Sequence, residues 1–93
     1  MLASDPTDPF TRYALALEHA GQGDVGTAME LLTAVRLSHP EYVAAYHQLG
    51  ILHERQGDTD QAEAAYTEGI AMARSLGDDH AAGEMQEALD LLS

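Results

Sequence analysis

Residues 15–33 read LALEHAGQGDVGTAMELLT, and 34 positions further on residues 49–67 read LGILHERQGDTDQAEAAYT. Leu15, His19, Gln22-Gly23-Asp24, Ala28 and Thr33 reappear at that offset as Leu49, His53, Gln56-Gly57-Asp58, Ala62 and Thr67. Seven coincidences at one spacing in a chain of 93 residues are hard to obtain by chance. A fixed period of this length is the mark of a helical hairpin that has been copied and stacked on itself. The stacking decides the architecture before any single residue is weighed.

Working outward from the repeat, each helix announces its ends. Asp8-Pro9 supplies an N-cap and a proline at the first helical position, and Gly21 with Gly23 closes this helix near residue 21. Asp24 caps the second helix, whose Ala28, Leu31, Leu32 and Val35 make one apolar stripe. That helix must stop near Ser38, because Pro40 follows. Pro40-Glu41 opens a third helix with a buried stripe of Tyr42, Ala45, Tyr46, Leu49 and Leu52 or His53, ending at Gly57. Asp58, with Gln61 three residues on, gives a capping-box pattern for the fourth, whose inner stripe is Ala62, Ala65, Tyr66, Gly69 and Ala73. Asp78-Asp79 starts a fifth after Gly77, with Ala82, Met85, Leu89 and Leu92 on one face. Five helices and no strand pattern predict an all-α chain.

Composition narrows the function. A domain of this size buries about two thirds of the surface that its unfolded chain exposes, so its stability is modest. There is no cysteine, which removes disulfides, thiolate ligands and a cysteine nucleophile. No basic, apolar leader and no membrane-length apolar run is found, so a cytoplasmic protein that meets no membrane is expected. Sixteen acidic residues face four arginines, Arg12, Arg36, Arg55 and Arg74, with no lysine, for a net charge of -12. A nucleic acid would have to approach against repulsion and is not an expected partner. Two causes fit the acidity: adaptation to concentrated salt (halophilic adaptation), favoured because net charge speaks first to solubility, and affinity for a basic ligand.

These landmarks resemble the tetratricopeptide repeat (TPR), in which an aromatic residue, Leu-Gly and Tyr are followed by Ala, an aromatic residue and Pro. The second unit shows Tyr46, Leu49-Gly50, His53, Ala62 and Tyr66; the first, looser unit shows Leu15-Ala16, His19, Ala28, Leu32 and Pro40. Three places depart from the pattern: Arg12 for the leading aromatic, Val35 for a small residue and Arg74 for the closing proline. An opening repeat has no predecessor, which allows Arg12, while Arg74 lets the fourth helix run on to about Gly77. The resemblance implies a right-handed helical solenoid: a disordered N-terminal segment at 1–7, repeats at 8–40 and 41–76, and a C-terminal capping helix at 78–92. Small Ala16, Ala28, Gly50, Ala62 and Gly69 are expected to let backbones approach, with Leu15, Leu32, Leu49 and Tyr66 filling the gaps.

The resemblance also implies a non-catalytic protein–protein interaction module, an adaptor whose concave groove receives a peptide or a partner helix. Its lining falls on Phe10, Tyr13, Leu17 and Ala20 of the first unit and on Ala44, His47, Ile51, Glu54 and Arg55 of the second. Phe10, Tyr13 and Leu17 form an apolar patch, unless the N-terminal segment or the fifth helix folds over it. The alternatives are self-assembly as a homodimer and a place within a longer TPR scaffold. Chaperone-binding relatives grip a terminal carboxylate with lysine, asparagine and arginine; here those first-unit places hold Tyr13 and Leu17, so a chaperone tail is not expected.

Chemistry finds little purchase. His19 and His53 stand at equivalent repeat positions and read as packing residues, and His39, His47 and His80 lie apart, with no H-E-x-x-H motif. Gly21, Gly23, Gly26, Gly57 and Gly77 sit at helix ends in an acidic chain, which is no phosphate cradle. No nucleophile, base and orienting group converge, so no enzyme, metal or cofactor is expected.

Overall fold

Every described helix but one begins where an aspartate accepts a hydrogen bond from a free backbone N–H group. In the computed structural model, which describes residues 7–92, five helices run in order: α1 (Pro9–Gly21), α2 (Val25–Ser38), α3 (Val43–Arg55), α4 (Thr59–Ser75) and α5 (Asp79–Leu92). The segment expected to be disordered, 1–7, lies outside the described residues except for Thr7. Asp8 accepts from the Thr11 N–H at 2.9 Å, Asp24 from Thr27 at 3.3 Å, Asp58 from Gln61 at 3.2 Å and Asp78 from Ala81 at 3.1 Å. The return arm of the capping box at Asp58 is not made, because the Asp58 N–H donates instead to the His53 carbonyl at 2.9 Å.

Hydrogen bonding to Thr27, first through its hydroxyl and then through its amide, holds the Asp24 carboxyl below the usual carboxylate range, with His19 adding to the effect. His19 Nδ1 stands 3.2 Å from that carboxylate.

Gly23 and Gly57 carry the turns inside the two hairpins, at φ 86° and 76°, a conformation that a side chain disfavours. The link between hairpins is built differently and corrects one expectation. Pro40-Glu41 does not open α3. The Tyr42 N–H donates to the His39 carbonyl at 2.9 Å, and the Tyr46 hydroxyl donates to the Pro40 carbonyl at 2.8 Å. Residues 39–42 therefore make a turn of their own, and helical structure starts at Val43, with Tyr42 as an N-cap that has no side-chain bond.

Two buried clusters form along the stack. Ala16, Ala28, Leu32, Val35, Ala45, Leu49, Leu52 and Ala65 join α1 to α4, and Tyr46, Ala62, Tyr66, Ile70, Ala73, Ala82 and Met85 join α3 and α4 to α5. Full burial of each large side chain, Tyr66, Leu32, Leu52, Met85 and Val35, contributes about 1.5–3 kcal/mol. The fifth helix is the lid that the apolar stripe required: Ala82 and Met85 are buried, and Leu89 and Leu92 pack beside them. Leu15 is the exception. It is 41% exposed, whereas its repeat partner Leu49 is 3% exposed. Leu49 lies beneath residues of α2, and no described element precedes α1 to cover Leu15 in the same way.

Candidate protein-binding groove

The odd-numbered helices share one face. Tyr13 of α1, Val43, Ala44, His47 and Gln48 of α3, and Ala81, Glu84 and Met85 of α5, with its cap Asp78, line a cavity of about 270 Å³. A shallower hollow of about 430 Å³ adjoins it through Val43, Ala44 and Asp78 and adds Glu41, Tyr42 and Leu76. Together they form a trough with an apolar floor. Among the described residues its charged side chains are Glu41, Asp78 and Glu84, and His47 stands beside them.

Aromatic contacts fix the walls. The Tyr13 and Tyr42 rings are tilted against each other with centroids 5.4 Å apart, and His47 meets the Tyr66 ring edge-on at 5.9 Å. Burial pushes the Tyr42 hydroxyl above the usual tyrosine range, and Tyr13 and Asp8 add to it. Tyr66 is fully buried, and its hydroxyl donates to the Glu54 carboxylate. Burial first, then this bond and the charge of Glu54, push its pKa far above the ordinary value. Glu54 thus ties the end of α3 to α4.

Of the residues expected to line a groove, the trough brings together Tyr13, Ala44 and His47. Phe10, 67% exposed, and Leu17, 40% exposed, lie on α1 outside it, as do half-buried Ala20 on α1 and Ile51 on α3. Glu54 and Arg55 are exposed at the end of α3. The fifth helix walls the trough without covering Phe10 or Leu17. Sequence reasoning missed this wall, although the Asp78, Ala81, Met85 spacing marks one helical face.

A second hollow, of about 230 Å³, lies elsewhere between α2, α3 and α4, where Arg36 Nη1 reaches Glu68 at 3.0 Å across the two repeats. Among the described residues no three His, Asp or Glu side chains gather as for a metal ion, and no helix is long and apolar enough to cross a membrane.

Comparison with known proteins agrees with this fold. The tetratricopeptide repeat profile matches residues 10–75. A TPR repeat-containing protein of Pseudomonas aeruginosa is 32% identical over 85 residues, covering 91% of this chain and 81% of the relative. The solution structure of a tetratricopeptide repeat domain protein from Salinibacter ruber superposes with a TM-score of 0.92 at 40% identity, over 97% of this chain and 91% of that one. A crystal structure of such a protein from the same organism gives 0.86 at 40% identity, over 91% and 94% of the two chains. A solution structure from Bordetella parapertussis gives 0.82 at 30% identity, over 91% and 74%. With its period, its stacked hairpins and these likenesses, the chain belongs to the tetratricopeptide repeat family.

Proposed function

We propose that the chain is a non-catalytic adaptor that holds a peptide or a partner helix in the trough between α1, α3 and α5. The observation that carries this reading is the apolar floor of Val43, Ala44, Ala81 and Met85 beside the Tyr13 ring. Repeats of this family mediate protein–protein contact, and a trough with an apolar floor suits either an extended or a helical ligand. A half-buried tyrosine beside such a floor is an anchor of the kind that dominates binding energy. The acidic, cysteine-free composition is in keeping with work in the cytoplasm. Capture of partners from the native host, followed by titration of the purified partner against wild type and Tyr13→Ala, tests the reading. Tyr13→Ala is expected to weaken binding by about tenfold or more; undiminished affinity would falsify the assignment.

Self-assembly is the second reading, favoured by exposed Phe10 and Leu17 on one side of α1. Two copies would bury both by two-fold symmetry. Sedimentation across a concentration series separates the two: a persistent monomer supports the adaptor, a stable dimer the structural role.

A further inference from the structure

The charge lining the trough is one-sided. Among the described residues Glu41, Asp78 and Glu84 border it and no arginine does; Arg36 is engaged with Glu68 at the separate hollow between α2, α3 and α4. Asp78, the cap of α5, and Glu84 within it both line the cavity, with Ala81 between them. Asp78 uses Oδ1 to cap α5, and Glu84 stands 3.5 Å from His80, so each keeps an oxygen for an incoming donor. Tyr13 adds an aromatic face, which attracts cations in its own right.

We propose that the segment held in the trough carries a lysine or arginine beside a bulky aliphatic side chain, with the aliphatic group seated over Val43 and Ala44 and the cation facing Asp78 and Glu84. The proposal rests on the groove reading above and gives the partner its chemistry. Apolar burial supplies affinity, while the two carboxylates select against acidic segments, for which entry means like-charge contact. The same complementarity speeds encounter, since the whole chain carries -12.

The test uses a fluorescein-labelled amphipathic peptide of leucine and lysine and a twin with glutamine for each lysine, titrated by anisotropy. Asp78→Asn with Glu84→Gln removes the two carboxylates assigned to the cation, and asparagine keeps the helix cap. Asp60→Asn with Glu63→Gln, at exposed positions of α4 away from the trough, makes the same change in net charge. Ala44→Trp fills the trough, with Ala81→Leu in its place should the tryptophan variant not fold by circular dichroism.

The lysine peptide is expected to bind about tenfold more weakly to the first double variant, with little change on the second. Equal loss on both variants, or equal binding of the glutamine twin, overturns the cation preference; if filling the trough still abolishes binding, the groove reading survives. Binding of neither peptide, or binding indifferent to the filled trough, removes the groove and the preference together.

Discussion

At Gly50 the absence of a side chain is what lets Tyr66 stand where it does. A Cβ there would lie 2.6 Å from ring carbons Cδ1 and Cζ, and one on Gly69 would meet Met85 Sδ at 2.5 Å and Tyr46 Cβ at 2.6 Å. Gly50→Ala therefore sets two effects against each other. Helix propensity favours alanine by about 1 kcal/mol, while overpacking a full core costs about 1–3 kcal/mol. The clash involves a fully buried ring with little room to move, so overpacking wins and urea unfolding is expected to show a loss of stability; a gain would mean that Tyr66 packs loosely. Tyr66→Phe removes the bond to Glu54 and is expected to cost about 1 kcal/mol. It also changes the alkaline limb. Folded Tyr66 keeps its proton past the ordinary value of 10.0, so its contribution is complete below that pH and is lost as pH rises above it. Melting curves on the alkaline side should fall less steeply for Tyr66→Phe than for wild type. The alternation of small and large residues around Tyr66 was legible from the repeat. The bond to Glu54 was not, because the partners are 12 residues apart on different helices and only the hairpin's closure brings them together.

At the scale of elements, one turn is used three times. Gly23-Asp24, Gly57-Asp58 and Gly77-Asp78 each end one helix and cap the next, with the aspartate N–H donating back to His19, His53 and Ala73 at 2.8–2.9 Å. The first two are the repeat itself; the third joins the lid to α4 by the same means as the members of a hairpin. Asp58→Ala is expected to cost about 1 kcal/mol and Asp58→Asn almost nothing, measured by thermal melting, because asparagine also accepts from the Gln61 N–H. Removing everything after Gly77 would bare Tyr46, Ile70 and Ala73, so that fragment is expected to aggregate or to lose its cooperative transition; a monomeric, cooperative fragment would show the lid to be dispensable. Helix starts marked by aspartate were legible because the cap is a local contact. The start of α3 was misread because Pro40-Glu41 has the right chemistry for a first turn, and what overrides it is the Tyr46 hydroxyl reaching back to Pro40. The exposure of Leu15 likewise depends on what lies beside α1, which periodicity alone does not reveal.

For the whole molecule, charge is the largest unspent tension. A net charge of -12 on so small a body repels itself, and at molar salt the range of that repulsion shrinks to about 3 Å. The melting temperature is expected to rise between low and high sodium chloride, and a flat or falling series would count against adaptation to salt. The faces of α1 and α3 that meet at the trough could be read from their spacing, but its third wall is α5, and α5 is seated on α4 by Met85 against Gly69 rather than by any local pattern. The two ends of the stack also differ. At one, Ala82 and Met85 close the interior; at the other, Leu15 faces outward in the role that Leu49 plays inside. Growth of the solenoid is thus directional: a hairpin grafted upstream of Asp8 finds a half-made seam waiting, whereas one grafted downstream must first dislodge the lid.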